Sequence, residues 1–269
     1  MRRGNGDASV TGMIRQRRET DRSPRGKPRA CRVGSAFTLI ELLVVVAIIA
    51  LLTAVLLPTL RSGRIKARIV IAHSDLRQVC IALDAYAMDN HDQLPPTRRA
   101  CGTEINYQLP VELCNQFYLP RAESRIPQAE FLDIFDPRDP GDPDDPQRTY
   151  RYRRPGALWQ NGQFFDFPAP ADDWRPRAEI WVPADFPRCQ SPEGRFFYNR
   201  VDEPACPVLY AVWSIGPDSA SPKFPRDEGS GAIDTAKFPL PRRLWLQGSG
   251  DTGLITHFKG RDGHTHTSP

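Results

Sequence analysis

One carboxylate, Glu41, sits inside an apolar run from Phe37 to Leu57 that only Thr38, Glu41 and Thr53 interrupt. An ionisable group in a membrane-length segment is costly and calls for a partner. The nearest partner is an α-amino group, which a cut just before Phe37 would create. An amine four residues upstream on the same helix is too close for good geometry, whereas a neighbouring copy can offer one. The expected chemistry is ion pairing between subunits, with Glu41 setting their register. The competing reading is a carboxylate near the bilayer edge that only meets headgroups.

Other residues carry less. His257, His264 and His266 include a His-x-His pair, read as a late strand residue and a tail rather than a metal site. Asp136-Pro137, Asp139-Pro140, Asp142-Pro143 and Asp145-Pro146 recur every three residues, the period of polyproline II. Their acids line one edge, but the prolines keep the segment from wrapping an ion, so it reads as a solvated linker. Six cysteines, Cys31, Cys80, Cys101, Cys114, Cys189 and Cys206, match no CxxC motif. Cys101/Cys114 and Cys189/Cys206 are near enough in sequence to pair in an oxidising compartment, and free thiols are the equal alternative. No GxSxG or HExxH is present, and nothing gathers a nucleophile, a base and an orienter. The chain is expected not to be an enzyme.

The elements around Glu41 follow from charge and periodicity. Residues 1–36 hold ten basic and three acidic side chains; removing them from the totals of 36 and 32 leaves 26 and 29, a net charge of −3. The basic balance therefore belongs to the tail, and no nucleic-acid partner is expected. Residues 37–57 span roughly 31 Å as a helix, the thickness of a hydrocarbon core. A signal peptide would have a shorter apolar region ending in a small-x-small site, whereas this run ends Leu56-Leu57-Pro58-Thr59. The basic tail places the N-terminus in the cytoplasm and the remainder outside.

From Ile65, apolar residues fall at Ile69, Ala72, Leu76, Val79, Leu83 and Tyr86, the stripe of an amphipathic helix. Pro58 is expected to kink the joint between the two helical segments. From Phe37 to about Asn90 the rod would measure roughly 80 Å. Asp89-Asn90-His91-Asp92 and Pro95-Pro96 end it. Residues 95–175 read as a Pro-rich loop region or insertion. Residues 176–269 read as short strands: Ala178–Val182, Arg195–Val201, Pro207–Ile215, Arg243–Leu246 and Leu254–Phe258. Val208–Ile215 is apolar on both faces, as in a central strand. Gly260–Pro269 reads as a frayed tail.

Ala36-Phe37-Thr38-Leu39-Ile40-Glu41-Leu42-Leu43-Val44-Val45 resembles the class III signal of type IV pilin-like proteins, the pilins and type II secretion pseudopilins. The resemblance implies cleavage by a prepilin peptidase between Ala36 and Phe37, N-methylation of Phe37, and an assembly role for Glu41 as the fifth mature residue. Pro58 sits where many members carry a proline in the rod. The residue before the cut is usually glycine in that family, and here it is Ala36. Ser74-Asp75-Leu76-Arg77-Gln78, Tyr86-Ala87-Met88-Asp89-Asn90 and Leu94-Pro95-Pro96 are similar to the end of a pseudopilin rod. Trp213-Ser214-Ile215-Gly216-Pro217-Asp218 resembles the segment where the major pseudopilin's last sheet meets its calcium loop, and Ser249-Gly250-Asp251 a C-terminal turn of related proteins. By that resemblance Asp218 and Asp227, with Asp234 behind them, are the candidate calcium ligands.

The expected architecture is α+β: a long transmembrane-plus-amphipathic helix packed on a small C-terminal antiparallel sheet with Pro-rich loops. Residues 1–36 form a removable basic leader, 37–57 the membrane span, 58–94 the amphipathic spine, 95–175 the loop region and 176–269 the β-rich head. The expected function is a structural subunit of a type II secretion or type IV pilus-like assembly. Its implied partners are the prepilin peptidase, other pilin or pseudopilin subunits and an inner-membrane assembly platform, with the head in the periplasm. The alternatives are a membrane-anchored periplasmic binding protein that keeps the signal but never polymerises, and an anchored enzyme with a scattered site.

Overall fold

The computed structural model describes residues 37–99, 107–123, 127–136, 148–165, 178–183, 197–198, 206–218, 221–226, 238–247 and 252–269. The leader, Ala36, Cys101, Cys189, Asp227, Asp234, Ser249-Gly250-Asp251 and the Asp-Pro repeat beyond Asp136 lie outside them. The chain divides into two compact units, residues 1–52 and 53–269.

The first helix, α1 (Leu39–Asp89), has 51 residues and contains Pro58. The helix runs on through this proline, although Pro58 offers no N–H to the carbonyl four residues earlier. One residue later the Thr59 hydroxyl donates to the Leu56 carbonyl at 2.8 Å. At the other end, His91 and Asp92 turn left-handed at φ 55° and 60°. The Asp92 N–H then reaches back to the Ala87 carbonyl at 2.8 Å, a Schellman-type closure of the helix. The Asn90 side chain caps the Tyr86 carbonyl at 2.8 Å.

In the second unit the predicted stripe is the buried face. Ala72, Leu76, Val79 and Leu83 are buried, joined by Cys80 and Ala82. They pack with Tyr152, Tyr210, Val212 and Ile255 of the main sheet, and with Leu109, Leu113, Cys114, Leu119, Phe131 and Tyr150. That sheet has four antiparallel strands in the order β2-β7-β8-β9: β2 (Arg151–Arg153), β7 (Val208–Ser214), β8 (Ile255–Gly260) and β9 (Thr265–Thr267). β7 lies inside the sheet, as its two apolar faces predict. Tyr210 and Val212 face α1, while Ala211 and Trp213 serve two smaller clusters on the other side. Val208 packs with Ala211 rather than Tyr210 because the register shifts between Val208 and Tyr210. An extra residue in one strand inverts side-chain alternation.

Three sequence expectations change. The region read as loop supplies β2, which pairs with β7. It also supplies β1 (Thr97–Arg99), β3 (Leu158–Gln160) and β4 (Gln163–Phe165). In this second sheet β1 runs parallel to β3. These strands are three residues each, too short to show alternation. Arg243–Leu246 is not a strand. Pro241 leads into a 3-10 turn at Arg242–Leu244, and Trp245 makes only a single bridge to Leu254. Gly260–Pro269 is not a frayed tail. Gly263 at φ +81° turns the chain, and β9 returns along β8 as an edge strand. β5 (Ile180–Trp181) and β6 (Phe197–Tyr198) form a separate two-stranded pair. A short helix, α2 (Val111–Asn115), follows Pro110.

Candidate assembly segment

Thr38 stands immediately before α1, and Glu41 occupies its first turn. The Glu41 carboxylate oxygen Oε2 accepts the Thr38 N–H at 2.9 Å and the Thr38 hydroxyl at 2.8 Å. In return the Glu41 N–H donates to Thr38 Oγ1 at 3.3 Å. This is a reciprocal capping box. It satisfies orphan donors at the helix start and holds an anion at the positive end of the helix dipole. Both contacts to the carboxylate use Oε2, and Oε1 makes neither. In the sequence alone Thr38 reads as an interruption of the apolar run. The signal that identifies its role is the Thr-x-x-Glu spacing.

Among the described residues, the apolar side chains behind this cap are exposed. Leu39 is 82% exposed and Leu51 70%. Among the described residues α1 is the one helix long and apolar enough to cross a membrane, and no residue of its most apolar stretch is buried. Phe37 is itself 73% exposed.

Beyond Leu52, polar groups lock α1 onto the sheet. Asp75 and Asp84 flank the buried stripe on opposite sides, one residue outside Leu76 and Leu83. Asp75 accepts the Tyr150 hydroxyl at 2.8 Å. Asp84 accepts the Tyr210 hydroxyl at 3.0 Å and the Lys259 ammonium at 2.9 Å. Asp89 accepts the Tyr118 hydroxyl at 2.7 Å. Burial is the main reason the Tyr150 and Tyr210 hydroxyls are held well above the usual phenol range, so they act as neutral donors.

His73 of α1 meets His257 of β8, with His73 Nδ1 and His257 Nε2 3.0 Å apart. The ring centroids lie 5.3 Å apart, the separation of two imidazoles meeting end to end across one shared proton. His73 also bonds the Pro269 backbone, which as a carbonyl can only accept. The consistent assignment has His257 Nε2–H donating to His73 Nδ1, and His73 donating its other N–H to Pro269. His257 Nδ1 is then a buried atom without a partner. A second proton on His257 would have no acceptor. Burial, then the fields of His73 and Arg77, pushes its pKa down to about 4. The pair lines a cleft of about 710 Å³ bordered by Val70, Ser74, Arg77, Ile81, Thr265 and Thr267.

The remaining sequence candidates lie only in part among the described residues. Asp218 is half-buried in the loop after β7, and Asp227 lies outside the described residues. No three His, Cys, Asp or Glu side chains among the described residues gather as a metal site. His257 and His266 are in strands; His266 stacks on Phe258 at 4.9 Å. Cys80, Cys114 and Cys206 are buried, and Cys101 and Cys189, the partners considered from the sequence, lie outside the described residues. Burial pushes the Cys80 thiol up to about 12, which keeps it unreactive.

Comparison with known proteins bears on this same segment. The family model described as the prokaryotic N-terminal methylation motif matches residues 32–57. The type II secretion system core protein G of Pseudomonas aeruginosa is 41% identical over 59 residues. The alignment covers 22% of this chain and 42% of that protein, less than half of its length. No solved structure matched the chain.

Proposed function

We propose that this chain, pilin-like in its N-terminal region and carrying the prepilin-type methylation motif, is a structural subunit of a type II secretion or type IV pilus-like assembly. The observation that carries the reading is the coincidence of that motif with a capped helix start whose most apolar stretch has no buried residue. The prepilin peptidase cuts between Ala36 and Phe37 and methylates the new Phe37 amine. The basic leader is cytoplasmic before removal, α1 anchors the protein in the inner membrane, and the residues after the span face the periplasm. Helices of neighbouring subunits then cover the apolar surface that this chain leaves bare, with the assembly platform guiding their addition.

Glu41 makes the register-setting contact. The capping box keeps Oε2 on Thr38 and leaves Oε1 for the Phe37 amine of an adjacent subunit. Such a pair, away from water, specifies register more than it stabilises, because desolvation offsets much of the attraction. Pro58 releases a backbone carbonyl in the rod, where local adjustment during packing costs least. N-terminal mass spectrometry of the protein from its native membrane tests the reading. The expected terminus is N-methylated Phe37. An intact leader, or a terminus at any other residue, overturns it.

A further inference from the structure

Two imidazoles meet where α1 crosses β8, and the contact is more than a hydrogen bond needs. His257 is 4% exposed, and its Nδ1 is buried with no partner among the described residues. An orphaned polar atom on a buried side chain calls for a functional explanation. No neighbour fixes which His257 nitrogen carries the hydrogen, so either neutral tautomer is available to the ring. Its Nε2 faces His73 Nδ1 at 3.0 Å. A single hydrogen lies between these nitrogens in the assignment above, and a metal ion can take that place.

Zinc and similar divalent ions bind imidazole nitrogen at about 2.0–2.1 Å, so two such ligands in adjacent coordination positions lie roughly 2.9–3.4 Å apart. The observed 3.0 Å falls within that range. An ion equidistant from both nitrogens would stand about 1.4 Å to the side of the line joining them, and turning the two rings aims both lone pairs at that point. His73 is already held as a ligand would be. It bonds the Pro269 backbone, and a ligating histidine characteristically donates its other N–H to such an acceptor, which keeps the metal-facing nitrogen bare. Both rings border the cleft of about 710 Å³, so coordination positions not filled by protein can take water or an anion. Arg77 lines the same cleft and favours an anion there.

We propose that His73 and His257 form a two-imidazole site for a divalent transition-metal ion of the zinc type, which clamps α1 to β8 when it binds. His73 Nδ1 and His257 Nε2 are the ligands. On binding, the His257 hydrogen moves from Nε2 to Nδ1, so both rings stay neutral and no proton is released. Imidazole nitrogens select zinc-like ions over magnesium, which prefers oxygen. The ligands are 184 positions apart in the chain. The folded protein holds them together and the unfolded chain does not, so the ion stabilises the fold. This inference is independent of processing and assembly.

Thermal unfolding of the full chain in detergent, stripped with EDTA and then given zinc chloride, tests it. Zinc at a hundredfold excess over its dissociation constant should raise the midpoint by about 5–10 °C, and magnesium should not. The chain has five histidines, which makes the assignment separable. His73→Gln should abolish the rise, while a triple variant, His91→Gln with His264→Gln and His266→Gln, should keep it. No rise in the native chain overturns the proposal. So does a rise that survives His73→Gln or disappears in the triple variant. If His73→Gln does not fold, labelling of the native chain with diethyl pyrocarbonate decides the question. Zinc should protect His73, read by mass spectrometry, and equal labelling with and without zinc overturns the proposal.

Discussion

Glu41 has two tasks at the residue scale, and they can be separated. As the last residue of the Thr-x-x-Glu capping box it closes the start of α1 on Thr38. As a charge it is proposed to meet a neighbour's amine. Glutamine keeps the capping geometry and loses the charge. Glu41→Gln should leave insertion and cleavage intact yet abolish incorporation into assemblies, measured by crosslinking in membranes. Glu41→Ala should show the same assembly defect and additionally lose about 1 kcal/mol of helix capping. Native-like assembly of Glu41→Gln would sink the ion-pair role. His257 carries the clearest pH dependence. Its folded pKa, about 4, lies below the ordinary histidine value of 6.5, so the unfolded chain binds this proton first as pH falls. The stabilisation is complete above about pH 6.5 and is lost as pH drops toward 4. The amount is on the order of 3 kcal/mol. The titratable and charged groups facing it are His73, Arg77 and the Asp84–Lys259 pair. Urea unfolding of the detergent-solubilised chain across that range reads the slope. A His257→Gln variant should lack most of it, and an unchanged slope would reject the assignment.

At the scale of elements, α1 has two surfaces with different partners. Through Leu57 its apolar side chains are bare. From Ala72 to Leu83 the stripe is buried against the sheet. Leu76 and Leu83 are fully buried, so truncating either leaves a cavity that rigid neighbours fill poorly. Leu83→Ala should cost about 2–5 kcal/mol in denaturant unfolding, whereas Leu51→Ala, on the exposed part, should cost far less in the isolated subunit. Equal effects would contradict the assignment of faces. A second element is held by buried charge. Asp133 accepts the Ser214 hydroxyl at 2.6 Å and the Ile215 N–H at 3.1 Å, with Arg151 at 3.7 Å. Burial raises the Asp133 pKa, and these donors oppose the rise. The network joins the segment before β2 to the end of β7, across a sequence gap that no local pattern bridges.

Across the whole molecule, the leader decides the sign of the charge. The full chain carries +4, and the chain from Phe37 onward carries −3 by the count above. The proposed processing therefore moves the protein from the basic to the acidic side in isoelectric focusing, in step with the appearance of a methylated Phe37. The same cut creates the amine that Glu41 is proposed to meet. Processing, net charge and assembly would then hang on one peptide bond, between Ala36 and Phe37.

The membrane-length run, the stripe from Ile65 to Tyr86, the end of α1 and the interior strand Val208–Ser214 were legible in the sequence. Each is a local pattern: apolar length, helical spacing, or an apolar strand bounded by Gly216-Pro217. The place of Glu41 as the charge in that run was legible for the same reason. What tertiary structure decided is pairing between residues far apart. β2 and β9 became sheet strands because β7 and β8 offered them hydrogen-bonding edges, which three residues do not announce. Asp75 and Asp84 carry no partner within their own helix turn, and only the fold brings Tyr150, Tyr210 and Lys259 to them from other elements. His73 met His257 across 184 positions, and Lys223 met the carbonyls of Trp245 and Thr252. Periodicity records which face of an element is apolar. Which distant polar group finds another depends on how those faces come together in three dimensions.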